Sequence, residues 1–187
     1  MRKRVLGFDI SSTTIGWCVL DIIDNEIKLV KMDYVKPPKD KSIIDRLFET
    51  RSKIQTIINR YKPDYIGIED IIQFMKGAST AQTIIVLTTF NRMVCLLARD
   101  YLNKNPELFS VMTIRHGLKI NKDLPKKEDI PALVSQHLGI NFPYILSTKG
   151  KNKGKIKVES YDMADGVAVA LFYAKSLMGQ TKRKVKI

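Results

Sequence analysis

Asp9 stands in the middle of the apolar run "VLGFDISSTTIGW", residues 5–17. Alternation along a strand puts Val5, Gly7, Asp9 and Ser11 on one face and Leu6, Phe8 and Ile10 on the other. A carboxylate in such a strand is costly to desolvate unless positive charge meets it. Two further segments repeat the oddity. "DYIGIED" climbs through Ile66 and Ile68 and ends on Glu69. "SYDMADGVAVALFYA" is almost wholly apolar, yet carries Asp162 and Asp165. Three apart, those two share a helix face, and they are expected in the first turn, at the positive end of the helix dipole. If all four acids converge, they repel one another strongly in a low-dielectric site. A divalent cation with oxygen ligands, Mg²⁺ or Mn²⁺, resolves that repulsion. Two such ions at about 4 Å form a clamp for phosphodiester cleavage.

Each acid also has a plain structural reading. Asp162 and Asp165 suit a helix start, and Glu69 suits an exposed strand end. Asp9 is the hardest to explain that way. Asp70 is a second candidate beside Glu69, although its side chain is expected to face away.

The elements that must position these acids follow from hydrophobic periodicity. Residues 4–11, "TIGWCVLDI" and "EIKLVKMDYV" read as three strands, with Asp24-Asn25 as the turn between the second and third. Such short connections make an antiparallel meander. Apolar residues at helical spacing predict a helix over 42–61, ended by Lys62-Pro63. "DYIGIED" is a fourth strand and residues 79–102 form a long helix, apolar on most of its circumference. "FSVMTIR" reads as a fifth strand, 127–138 as a shorter helix, and 161–178 as the last helix. The order βββαβαβα predicts an α/β fold, a mixed sheet with helices on its faces.

The chain has 187 residues, which suits one domain. Its 32 Lys and Arg against 19 Asp and Glu leave a formal net charge of +13. A field of that sign favours polyanions, nucleic acid before anionic membrane. Cys18 and Cys95 lie in apolar runs and read as buried thiols of a reducing compartment. "MRKRVLGFDI" is too short in its apolar part for a signal peptide. "TIIVLTTFNRMVCLLA" is interrupted by Asn91 and Arg92 and is expected to fall short of a membrane span. The expected location is intracellular: the cytoplasm or nucleoid of a bacterium or of a virus-infected cell, with an organelle also open.

"GFDISSTTIGW", "IGIEDIIQFMKGASTA" and "YDMADGVAVALF", in that order, resemble the RuvC-type Holliday junction resolvases of the ribonuclease H-like superfamily. The resemblance covers residues 5–175. It implies a mixed five-stranded sheet, three antiparallel then two parallel strands, flanked by helices, with a nuclease domain over 1–178 and a basic tail over 179–187. It implies catalytic, metal-holding carboxylates at Asp9, Glu69, Asp162 and Asp165, with two Mg²⁺ ions and Mn²⁺ as a substitute. It implies a homodimer cutting two strands of a four-way DNA junction symmetrically, with no membrane partner.

The family also places an aromatic wedge after the second acid. Phe74 is the matching candidate, a core role being equally open, and Lys76 in the same loop is expected on DNA. Lysines near the scissile phosphate match Lys119, Lys122 and Lys127, with Lys126 open as well; of these Lys119 and Lys127 are the expected catalytic pair and Lys122 a DNA contact. Lysine there neutralises charge developing in the transition state. In "STKGKNKGKIKVES", Lys149, Lys151, Lys153, Lys155 and Lys157 would project from one side if the segment is extended, a comb for a phosphate backbone. Alternatives remain: a nuclease of the same fold on flaps, other branched DNA or RNA–DNA hybrids, or an actin-like ATPase fragment.

Overall fold

The computed structural model describes residues 1–71 and 80–181. Strands β1 (Lys3–Ile10), β2 (Ile15–Ile23) and β3 (Glu26–Val35) form the expected meander, each antiparallel to the one before. Asp24 and Asn25 both take positive φ, 51° and 64°, as a tight hairpin between twisted strands requires. Strand β4 (Tyr65–Glu69) lies parallel to β1, and β5 (Glu107–Phe109) parallel to β4. The sheet order is β3-β2-β1-β4-β5. This is the mixed five-stranded sheet expected from the sequence.

Five α-helices flank it among the described residues: α1 (Ile43–Tyr61), α2 (Ala81–Leu102), α3 (Val111–Leu118), α4 (Ile130–Leu138) and α5 (Val158–Leu177). Alternation in β1 divides the core in two. Leu6, Phe8 and Ile10 pack with Ile54 and Ile58 of α1 and Phe90 and Val94 of α2. Val5 lies on the opposite side, with Cys18 and Leu20, under α3, α4 and α5. Both cysteines are free thiols.

Several expectations need correction. The segment 109–115 is not a strand: β5 ends at Phe109, and Val111 onward is helix α3. Ser110 caps it, its hydroxyl accepting from the Thr113 N–H at 3.2 Å. Ile114 and Leu118, four apart, are the residues it buries. The helix expected over 127–138 opens as a single 3₁₀ turn at Lys127–Asp129 before α4. The last helix begins at Val158, not near 161. Asp162 and Asp165 therefore lie beyond its first turn, where the helix dipole contributes little.

The lysine segment is not an extended comb. Leu146 bridges Ile156 in an antiparallel pair, and Gly150–Asn152 turn the chain back, so the five lysines are spread around a hairpin. Helix α2 is also longer than the span argument allowed. At 22 residues, with mean hydropathy 1.4 over its most apolar stretch, it meets the length and composition of a membrane-crossing helix. In the fold its Phe90, Val94, Leu97 and Ala98 are buried against the sheet instead.

Candidate active site

Asp9 lies near the end of β1, directly opposite Gly16 of β2. Gly16 has a close-approach role. A Cβ placed there would stand 1.8 Å from the Asp162 carbonyl oxygen of α5. One turn along α5, Gly166 rests on the Gly16 and Trp17 backbone in the same way. With no side chains between them, helix and sheet meet backbone to backbone. That contact brings one oxygen each of Asp9, Asp162 and Asp165 within 4.8 Å of one another. Asp162 and Asp165 are both 9% exposed.

Glu69 ends β4. Phe8 pairs with Ile68, so the next residues, Asp9 and Glu69, leave their parallel strands side by side. Buried Asn91 of α2 donates its side-chain N–H to the Glu69 carbonyl at 3.0 Å, which pins that strand end. Asp70 is engaged elsewhere: its backbone N–H bonds the Phe109 carbonyl, its carboxylate accepts from the Ile71 N–H at 3.0 Å, and its charge acts on Cys95 of α2.

Two cations meet the acids. The Lys127 ammonium donates to Asp162 Oδ1 at 2.8 Å and stands 3.4 Å from Asp165 Oδ2. Arg115 of α3 acts on both Glu69 and Asp165, and its buried Nε–H has no hydrogen-bond partner among the described residues. A third cation, Lys36, pairs with buried Glu159, one turn before Asp162 on α5.

Titration reflects the crowding. Burial pushes Asp9 well above the carboxylate range, and the charges of Glu69 and Asp165 push it further. Burial and Asp165 raise Glu69 to about 7, against the pull of Arg115 and Lys127. Burial raises Asp165 to about 6, against Lys127 and Arg115. Burial opposes the charge on Lys127, but its hydrogen bond to Asp162 and the nearby Asp165 and Asp9 outweigh it and raise its pKa.

Four carboxylates thus face two cations. The donors are all hard oxygens, with no imidazole or thiolate among the clustered groups. Such a set, with an excess of negative charge held in poor solvent, fits a hard divalent cation.

Other expected site residues lie elsewhere. Lys119 follows α3, is exposed, and donates to the Lys122 carbonyl at 3.1 Å. Lys122 is exposed in the same loop. Lys149, Lys151, Lys153 and Lys155 are exposed on the hairpin and Lys157 is half-buried at its root. Phe74, Lys76 and the tail from Lys182 fall outside the described residues. The His137 Nε2–H donates to the Leu118 carbonyl at 2.7 Å, a structural contact between α4 and α3. Arg115 and Asn91 were not foreseen. A polar residue at the centre of an apolar helix was the available signal for Asn91; Arg115 was hidden by reading its helix as a strand.

Sheet order, together with acids at the ends of β1 and β4 and on the helix crossing them, defines a ribonuclease H-like protein. The family model for crossover junction endodeoxyribonuclease RuvC matches residues 5–140, and the chain belongs to that family. The RuvC of Fusobacterium nucleatum is 26% identical over 138 residues, covering 74% of this chain and 70% of that protein. The RuvC of Ehrlichia ruminantium, strain Gardel, is 26% identical over 177 residues, covering 93% of this chain and 98% of that protein. Among solved structures, T. thermophilus RuvC in complex with a Holliday junction substrate superposes with a TM-score of 0.69. It is 16% identical over 96% of this chain and 98% of that one, which is a likeness of fold.

Proposed function

We propose that this chain is a metal-dependent endonuclease that resolves four-way DNA junctions by phosphodiester hydrolysis, acting as a homodimer that makes paired cuts. The observation that carries the reading is the meeting of Asp9, Asp162 and Asp165 within 4.8 Å in a chain of the RuvC family. Asp9, Glu69, Asp162 and Asp165 would hold Mg²⁺, with Mn²⁺ as a substitute and two ions in the site. Bound there, the ions supply an activated water and a stabilised leaving oxygen.

The chain's own residues do the rest. Gly16 and Gly166 hold α5 against β2, and Gly7 holds it against β1 at Ala170, which keeps the acids together. Lys127 offsets part of the carboxylate repulsion and presents positive charge to the scissile phosphate. Arg115, with an unpaired buried N–H, offers a planar fork that suits phosphate oxygens. The net charge of +13 supports attraction to DNA from a distance.

Paired cuts favour a dimer, since two sites related by a two-fold axis suit two opposed cuts. The outer face of α2 exposes Ile85 and Leu96 and is the proposed seat of the partner copy. Free cysteines and bacterial relatives fit an intracellular place of action.

The test is direct. Synthetic four-way junctions, flaps and linear duplex are incubated with the protein in Mg²⁺ and in EDTA, alongside Asp9→Asn. Junctions are expected to be cut in Mg²⁺ alone, with Asp9→Asn inactive. Equal cutting of linear duplex, or activity that survives EDTA, overturns the reading. Light scattering reporting a monomer at high concentration overturns the dimer.

A further inference from the structure

Residues 144–158, "YILSTKGKNKGKIKV", begin just beyond residue 140, where the match to the family model ends. They fold as a two-stranded arm at the foot of α5. Leu146 faces Ile156 across an antiparallel bridge. The Ser147 N–H bonds the Lys155 carbonyl at 2.9 Å, and the Lys157 N–H bonds the Ile145 carbonyl at 2.8 Å. Gly154 then returns to the Ser147 carbonyl at 2.8 Å.

This register sorts the side chains onto two faces. Ile145 points inward and packs on the core, and its N–H is held by the Ser160 hydroxyl at 2.8 Å. Leu146 and Ile156 point the other way; Tyr144, its ring edge-on to Phe142 at 5.2 Å, and Val158, the first residue of α5, lie two positions from them along the chain. All four are apolar or aromatic and all are in solvent: Tyr144 is 43% exposed, Leu146 49%, Ile156 40% and Val158 60%. The segment 144–158 carries five lysines and no acid. An apolar patch of this kind on an isolated surface marks a contact, and its lysine frame selects an anionic partner.

Resting on the functional reading above, we propose that this arm is a branch-reading element. Its lysines grip phosphates on either side, while Leu146 and Ile156, with Tyr144 and Val158, insert against base faces that branched DNA leaves unstacked. Linear duplex offers phosphates but no open base face. Branched DNA offers both, and apolar wedges between base steps are a recurring way to use them. The arm's root is close to the chemistry, since Lys157 is the N-cap of α5 and Asp162 lies a little over one turn further on. A branch held by the arm is thereby held near the acids.

The test uses the full chain in Ca²⁺ or EDTA, so that binding is read without cleavage. A four-way junction carrying 2-aminopurine at the branch point and a linear duplex of equal length are titrated at two salt concentrations. Wild type is expected to prefer the junction and to raise 2-aminopurine fluorescence. The L146S/I156S double variant is expected to lose about tenfold or more in junction affinity and most of the fluorescence rise, with duplex affinity within about twofold and the salt slope unchanged. The K151Q/K153Q double variant is expected to weaken both substrates and to lower the salt slope by up to about 2. The substituted side chains are exposed, and an unchanged thermal transition with a single I156S variant guards against misfolding.

Unchanged junction affinity and fluorescence in L146S/I156S overturn the proposal. So does an equal loss on junction and duplex, or unchanged junction affinity with a lost self-association or a lost sedimentation with phosphatidylglycerol vesicles. Absence of any junction preference in wild type is a separate result: it overturns the functional reading itself, and the arm's role with it.

Discussion

The two faces of the sheet are packed by different rules. On the α1 and α2 side, bulky side chains fill the space: Phe8, Trp17, Ile54, Ile58 and Phe90 interdigitate, and the buried Asp21 carboxylate is matched by a single partner, Arg4, at 2.7 Å. On the α5 side, backbone meets backbone at Gly16 and Gly166, and again where Gly7 meets Ala170. There the acids are inside, met by Lys127 and Arg115. A side-chain interface can yield by small rotations. A backbone contact cannot, so it suits a site whose carboxylates must hold their distances. The face of the proposed site is the one where helix and sheet have the least room to shift.

The sharpest way to break this contrast is Gly16→Ala. A Cβ 1.8 Å from the Asp162 carbonyl forces α5 away from β2, and with it Asp162 and Asp165 away from Asp9. Junction cutting is expected to fall by about 100-fold or more, because an error of order 1 Å in a reacting site costs that much. Stability, by urea unfolding, is expected to drop by about 1–3 kcal/mol or more. Ile54→Val on the other face is the control, with about 1 kcal/mol lost and cutting within about twofold. Equal effects from the two would remove the distinction.

Next in size is Lys127→Met. It removes the ammonium shared by Asp162 and Asp165 while leaving the helix contact intact. Cutting is expected to fall about 100-fold with the fold retained, in line with loss of one charge aimed at the transition state. Single-turnover rates at saturating metal check this, and a loss below about threefold would return Lys127 to a structural role.

The pH dependence of the metal-free protein follows. Glu69 and Asp165 titrate at about 7 and about 6 when folded, above their ordinary values. The folded chain therefore holds more protons than the unfolded chain from about pH 4 to 7. Stability from these groups is full below that window and is lost as pH rises through it. Thermal unfolding in EDTA is expected to show a lower transition at pH 8 than at pH 5, with Mg²⁺ reducing the difference. The opposite slope would mean that the acids are not crowded.

The smallest expected difference lies between two ion pairs. Lys36 on the α5 side meets Glu159, which is buried; Lys41 on the α1 side meets Glu49 in solvent. Lys36→Met leaves a buried carboxylate unpaired and is expected to cost about 1–3 kcal/mol. Lys41→Met is expected to cause no measurable change, since exposed pairs contribute little. Urea unfolding of the two variants compares them directly.

Much of this difference was legible in the residues. Acids inside otherwise apolar elements marked Asp9, Glu69, Asp162 and Asp165, and Asp24-Asn25 marked the meander turn. Helix α3 was not legible, because Phe109, Val111 and Thr113 alternate as a strand does, and only the Ser110 cap and the burial of Ile114 and Leu118 decide for a helix. With α3 misplaced, Arg115 could not be seen facing Glu69. The lysine segment misled for a similar reason: alternate lysines suit an extended chain, whereas Gly150 and Gly154, both at positive φ, turn it into a hairpin. Asn91 stood out as a polar interruption in α2, but its bond to a carbonyl 22 positions earlier has no local signature.

By itself the sequence determined which residues carry charge into apolar elements and how those elements alternate, since both follow from side-chain type and from periods of two and of about 3.6. Tertiary structure alone decided which cations meet those acids and how closely α5 settles on β1 and β2. Those outcomes depend on contacts between residues 35 or more positions apart, where spacing along the chain carries no information about distance in space.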